Sequence, residues 1–77
     1  MTAETRILRL IRSEYLERIP SFVRGHAIDC SCRMVARRYP ELYRLFGQEE
    51  EPGAEETKEM AEIVNAFFAQ RIRNHHV

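Results

Sequence analysis

Apolar residues recur along this chain at helical intervals, and the clearest run lies between Ala27 and Tyr39. Ile28, Cys32, Val35 and Tyr39 fall on one line at about 3.6 residues per turn. Neighbouring small and apolar residues widen this line to about half of the helix circumference. A helix that is apolar over so wide an arc must be covered on more than one side. We therefore expect it to be the central element of the fold.

The segment before this helix predicts a first helix and a connection. Thr2 is a suitable N-cap, and the apolar periodicity continues to about Arg18. Pro20 cannot continue that helix, because its ring removes a donor and clashes with the preceding turn. We expect a connection from Pro20 to Gly25, in which Phe22 and Val23 serve as apolar plugs.

The second half of the chain predicts a short helix, a linker and a long helix. Pro40 suits the first position of a short helix, and Gly47 is a typical residue at a helix end. The linker, at about 48–56, contains five glutamates, a proline and a glycine, so we expect it to be solvated and mobile. The last helix begins near Ala54 and continues to about Asn74.

These elements predict a single small all-α domain over residues 1–77, a bundle of three main helices plus one short helix. We expect the core to be formed by the apolar residues on the helix faces: Leu8, Ile11, Tyr15, Ile28, Val35, Tyr39, Leu42, Phe46, Met60, Val64, Phe67, Phe68 and Ile72. A chain of 77 residues buries only about 60% of its unfolded surface, so its stability margin is thin. Association with another copy or with a partner would bury more apolar surface.

The formal net charge is zero, but the charges are unevenly distributed. Residues 1–46 carry nine arginines and five acidic residues, whereas residues 47–77 carry three basic and seven acidic residues. The two halves should therefore attract each other, within one molecule or between two. The sequence contains no apolar run of the ~20 residues that cross a bilayer and no signal-peptide pattern, so we expect a soluble cytoplasmic protein.

The composition favours a protein-interaction or regulatory module, because the apolar helix faces are broad and no catalytic set of residues is recognisable. We expect no enzymatic activity and no cofactor. The predicted contact surface, for a protein partner or for a homodimer, lies on the last helix. It comprises Ile63, Phe67, Phe68 and Arg71.

Nucleic-acid binding is an alternative function. Two helices around a glycine-containing turn resemble a helix-turn-helix arrangement, and the candidate phosphate contacts are Arg24, Arg33, Arg37 and Arg38. A turn from Ile19 to Gly25 would be longer than the usual three or four residues. The neutral net charge also opposes this alternative, since nucleic-acid modules are usually basic.

A thiol or metal site is a second alternative. His26, Cys30, Arg33 and Arg37 form one row on the central helix, and a thiol near a helix start with such neighbours has the ingredients of a reactive cysteine. Cys32 belongs to the apolar face, so we expect it to be a packing residue.

A metal ion would need more ligands than this row supplies. His26 and Cys30 have the i, i+4 spacing that lets two side chains share an ion, and His75 and His76 could complete four ligands if the chain end folds back.

Overall fold

The computed structural model describes the backbone of residues 2–75 and the side chains of residues 2–74, and over this range the chain is all-α. The described residues form the helices α1 (Ala3–Leu8), α2 (Ser13–Arg18), α3 (Ser21–Arg38), α4 (Pro40–Phe46) and α5 (Ala54–His75). The predicted small helical bundle is therefore confirmed. None of the helices in the described part of the chain is both long and apolar enough to span a bilayer.

Helix α3 is the central element, as its broad apolar arc predicts. It packs against α1, α4 and α5, and it buries Ala27, Ser31, Cys32 and Val35. The predicted connection from Pro20 to Gly25 is wrong, because α3 already begins at Ser21 with Pro20 as its N-cap. Proline fits there, since an N-cap residue has extended backbone. A glycine within a helix costs only about 1 kcal/mol, so Gly25 is tolerated.

The predicted first helix is divided into α1 and α2. At the break, Arg12 has an extended backbone with φ −64° and ψ 131°. The side chain of Asn65 in α5 replaces the missing helical hydrogen bonds: its Nδ2 donates to the carbonyl of Leu10 at 2.9 Å, and its Oδ1 accepts from the amide of Arg12 at 2.8 Å. A side chain from another helix therefore supports a break that no proline or glycine marks.

The core follows the predicted faces of the later helices closely. Its buried hydrophobic residues are Ala3, Ile7, Ile11, Ile19, Ala27, Cys32, Val35, Leu42, Phe46, Met60, Val64, Phe68 and Ile72. The assignment of Leu8 and Tyr39 to the core is wrong, because both are exposed. Ile7, one residue before Leu8, lies on the inward face of α1, and Ile19 is buried as well. Tyr15, Ile28 and Phe67 pack against the core and are partly buried.

The acidic segment between α4 and α5 is held by a buried arginine. Arg6 in α1 is only 9% exposed, and its guanidinium donates to the carbonyls of Phe46, Gln48, Glu49 and Glu50 at 2.6 to 3.1 Å. Residues 48–51 keep exposed side chains, as predicted. The segment between α4 and α5 is shorter than the predicted linker, because α5 begins at Ala54. The hydrogen bonds of Arg6 hold the main chain of this segment against α1.

Candidate functional site

An open groove of about 470 Å³ lies between the C-terminal part of α3 and the middle of α5. We call it the α3–α5 groove, and its lining residues are Met34, Arg38, Tyr39, Glu62, Ile63, Ala66, Phe67 and Gln70. Its volume falls in the range of typical ligand pockets, about 300–1,000 Å³. Apolar side chains line most of it, and opposite charges stand on the two helices. Such a lining suits an apolar side chain from a protein partner.

The adjacent residues Phe67 and Phe68 have different environments. Phe68 is fully buried in the core, whereas Phe67 is partly buried and lines the groove. Their rings meet edge to face, with centroids 5.6 Å apart and planes at 81°. Because Phe68 is fixed by core packing, this contact holds the Phe67 ring in position as a wall of the groove.

The predicted contact surface is therefore corrected in part. Ile63 and Phe67 line the α3–α5 groove, but Phe68 has no accessible surface to offer to a partner. Arg71 is half-buried and does not belong to the groove lining. The role of these residues in partner binding stays a prediction.

An acidic row leads along α5 to the groove. Glu55, Glu59, Glu62 and Ala66 follow helical spacing, and all four are exposed. The side-chain ion pairs among the described residues are local: Arg12 with Glu14, Arg33 with Asp29, and Arg44 with Glu41. Within residues 2–74, no such pair joins the basic first half to the acidic second half. The attraction expected between the halves therefore does not take the form of side-chain ion pairs within these residues.

Phe22 is the most exposed of the large hydrophobic residues in the described chain, at 87%. It lies in the first turn of α3, so the prediction that it plugs a connection is wrong. Its helical row also contains His26, Asp29 and Arg33, of which His26 and Arg33 are exposed. The sequence contained a signal for this exposure. If α3 is extended back to Ser21, Phe22 falls on the same row as exposed polar residues of the helix.

The arginines proposed for nucleic-acid binding have different environments. Arg33, Arg37 and Arg38 are exposed, and Arg33 Nε lies 3.0 Å from Asp29 Oδ2. Arg24 is half-buried, and its Nη2 donates to the carbonyl of Ile19 at 3.0 Å. Helices α2 and α3 are joined by residues 19–20 alone, so the objection based on a long turn does not hold.

The two cysteines lie on the faces of α3 that the helical pattern predicts. The predicted position of Cys30 near a helix start is wrong, because α3 begins at Ser21 and Cys30 is its tenth residue. Cys30 is partly exposed, and its Sγ lies 3.5 Å from His26 Nε2. Cys32 is buried and 2% exposed. Burial raises the pKa of the Cys32 thiol, the charges of Glu4 and Asp29 raise it further, and a hydrogen bond with Ser31 opposes them. Burial and this shift both make Cys32 a poor nucleophile at neutral pH.

Two of the four ligands predicted for a metal ion lie close together in the structure. His26 and Cys30 are adjacent, but the side chain of His75 and all of His76 lie outside the described residues. Within the described part of the chain, no cluster of three or more histidine, cysteine or acidic side chains could hold a metal ion.

Comparison with protein-family models, curated proteins and solved structures finds no match to this chain. The groove and its surroundings are therefore the basis for a functional proposal.

Proposed function

We propose that this protein is an interaction module that binds a protein partner through the α3–α5 groove. The observation that carries the proposal is the groove's apolar lining around a ring that the core holds in place, that of Phe67. A preorganised apolar pocket is typical of the sites that receive anchor side chains at protein interfaces. This function requires no cofactor and no catalytic residue. The cytoplasmic location predicted from the sequence belongs to the same proposal.

The expected ligand is a protein segment with an aromatic anchor and a basic flank. Met34 and Phe67 both line the groove. A methionine sulfur and a phenyl ring each form favourable contacts with an aromatic ring, so both residues suit an aromatic anchor of the ligand. The acidic row of α5 approaches the same groove, so basic residues beside the anchor would gain Coulombic attraction and a faster encounter.

A matched pair of variants tests the proposal. Ala66→Arg places a long charged side chain in the groove, whereas Ala54→Arg makes the same change at another exposed position of α5. Displayed random helical peptides are selected on the wild-type protein, and the affinity of the enriched peptides is measured by fluorescence anisotropy. We expect these peptides to carry an aromatic residue and to lose at least about tenfold in affinity with Ala66→Arg. Ala54→Arg should lose far less affinity, because its added charge lies beside Glu55 but outside the groove. Enriched peptides that bind Ala66→Arg as tightly as the wild type, or a library without enrichment, would contradict the proposal.

A further inference from the structure

The exposed ring of Phe22 and the α3–α5 groove are complementary features of the same chain. Phe22 is 87% exposed, and a single apolar side chain at the surface is by itself unremarkable. The groove has the apolar lining and the volume, about 470 Å³, to receive a phenyl ring. The two lie on different faces of the molecule: around α3, Phe22 and the groove residue Met34 differ by about 120°. One copy could therefore offer its ring to a second copy.

The charges around the two features have matching spacing. On α3, Arg33 follows Phe22 by eleven residues; on α5, Glu55 precedes Ala66 by eleven residues. Eleven residues make about three helical turns, or roughly 16 Å, so each pair lies on one row of its helix. If α3 of one copy lies antiparallel to α5 of another, Phe22 reaches the groove beside Ala66. Arg33, which pairs with Asp29 in its own copy, then reaches Glu55 as a second carboxylate.

We infer that the α3–α5 groove receives Phe22 of a second copy of this chain, an inference that rests on the proposed function. Helix α3 carries four arginines and one acidic residue, Asp29, so it has an excess of positive charge. It then faces the acidic row of α5, which makes no ion pair with the basic half within the described residues. The two contacting surfaces are different, so the association is head-to-tail and each copy keeps a free ring and a free groove at opposite ends.

Sedimentation equilibrium with two complementary variants tests this arrangement. The wild-type mass should rise with concentration above the 9.1 kDa of one chain. Phe22→Ala lacks the ring but keeps the groove, whereas Ala66→Arg lacks the groove but keeps the ring. Each variant alone should remain monomeric, and an equimolar mixture should form a complex of twice the chain mass. Circular dichroism verifies that both variants fold. Ala54→Arg, whose added charge lies outside the groove, should still associate with rising concentration, in contrast to Ala66→Arg.

A charge exchange tests the antiparallel register. Arg33→Glu added to the Ala66→Arg chain should weaken its complex with Phe22→Ala about tenfold, and Glu55→Arg added to the Phe22→Ala chain should restore it. A weakened complex that Glu55→Arg does not restore would overturn this register.

The possible negative results separate this inference from the proposed function. A wild-type protein that stays monomeric up to millimolar concentration, a Phe22→Ala chain that still associates, or a mixture without a complex would each overturn the role of Phe22. Peptide binding that depends on Ala66 is independent of all these results. If it were observed without self-association, the groove would bind a different protein. A peptide library without enrichment on the wild type, or enriched peptides that bind Ala66→Arg as tightly as the wild type, would overturn the proposed function itself.

Discussion

The guanidinium of Arg6 lies 3.1 Å from the carbonyl oxygen of Phe46, which is 40 residues later in the chain. The same group also donates to Gln48, Glu49 and Glu50, so one side chain of α1 holds the end of α4 and the acidic segment that follows it. A cation at a helix C-terminus is favourable, because the last carbonyls carry partial negative charge. Arg6 thereby positions the segment from which α5 begins.

Replacement of Arg6 should destabilise the fold. Arg6→Met keeps an unbranched apolar stem but leaves the carbonyl of Phe46 and its neighbours without their donor. We expect the free energy of unfolding to fall by about 1–3 kcal/mol. Arg6→Lys should recover only part of this loss, because a single ammonium group lacks the planar fork of donors. Urea denaturation followed by circular dichroism measures both changes.

Arg9→Met is the matched control, since Arg9 is exposed and carries the same charge. Its effect should stay within about 0.5 kcal/mol. If Arg6→Met were as stable as Arg9→Met, the hydrogen bonds of Arg6 would contribute nothing net to stability.

The break between α1 and α2 should depend on Asn65. Its amide nitrogen donates to the carbonyls of Leu10 and Ala61, and its amide oxygen accepts from the amide of Arg12. Asn65→Ala should cost about 1–2 kcal/mol in the free energy of unfolding. Asn65→Asp should cost more at neutral pH, because the carboxylate can accept from Arg12 but repels the carbonyl oxygens.

Acidification distinguishes this explanation from a simple loss of packing. In the Asn65→Asp variant, protonation of the new carboxyl group restores one donor, so the gap in stability between this variant and the wild type should narrow as the pH falls towards about 4. Asn65→Ala offers no such group, and its gap should not narrow. An Asn65→Asp chain that behaves as Asn65→Ala at every pH would rule out the hydrogen-bond account.

The fold was predictable where local periodicity decides it. Met60, Val64, Phe68 and Ile72 repeat every four residues, and the buried face of α5 follows from that spacing alone. The division of the first helix was not predictable, because its cause is Asn65, which lies 53 residues after Arg12 in the sequence. Arg6 was missed for the same reason: its acceptors are backbone carbonyls, which no side-chain pattern reveals.

Only the α5 side of the α3–α5 groove was predictable from the sequence. Ile63 and Phe67 belong to the apolar arc of α5 and were expected at a contact surface. Tyr39 was assigned to the core, but it lines the groove. Its position depends on the direction of the chain between α3 and α4, which helical periodicity does not predict. The groove is formed by the packing of α3 against α5, so the pattern of either helix alone does not predict it.

The two cysteines should react with iodoacetamide at different rates. Cys30 is partly exposed beside His26, whereas Cys32 is 2% exposed. In the folded protein near neutral pH, peptide mapping should find Cys30 labelled well before Cys32. In concentrated urea, the two rates should become similar, because the burial of Cys32 is lost. Equal labelling in the folded state would mean that the orientation of α3 is wrong.

Stability should fall with rising pH on the alkaline side. Burial raises the pKa of the Cys32 thiol, so the folded protein holds this proton at pH values where the unfolded chain has released it. The free energy of unfolding then decreases as the pH rises past the ordinary thiol pKa of about 8.5, and the contribution is fully present at neutral pH. Burial also raises the pKa of the Tyr43 phenol, which extends the decrease to higher pH.

Urea titrations between about pH 7 and 10 of the wild type and of two cysteine variants measure this effect. The wild type should lose stability from about pH 8.5 upward. Cys32→Ala removes the buried thiol, so its curve should stay flatter until the tyrosine begins to ionise near about pH 10. Cys30→Ala keeps the buried thiol and should retain the wild-type slope. If the wild-type slope persisted in Cys32→Ala, the burial of the Cys32 thiol would not be the cause of the pH dependence, because only a group whose pKa differs between the folded and unfolded states makes stability depend on pH.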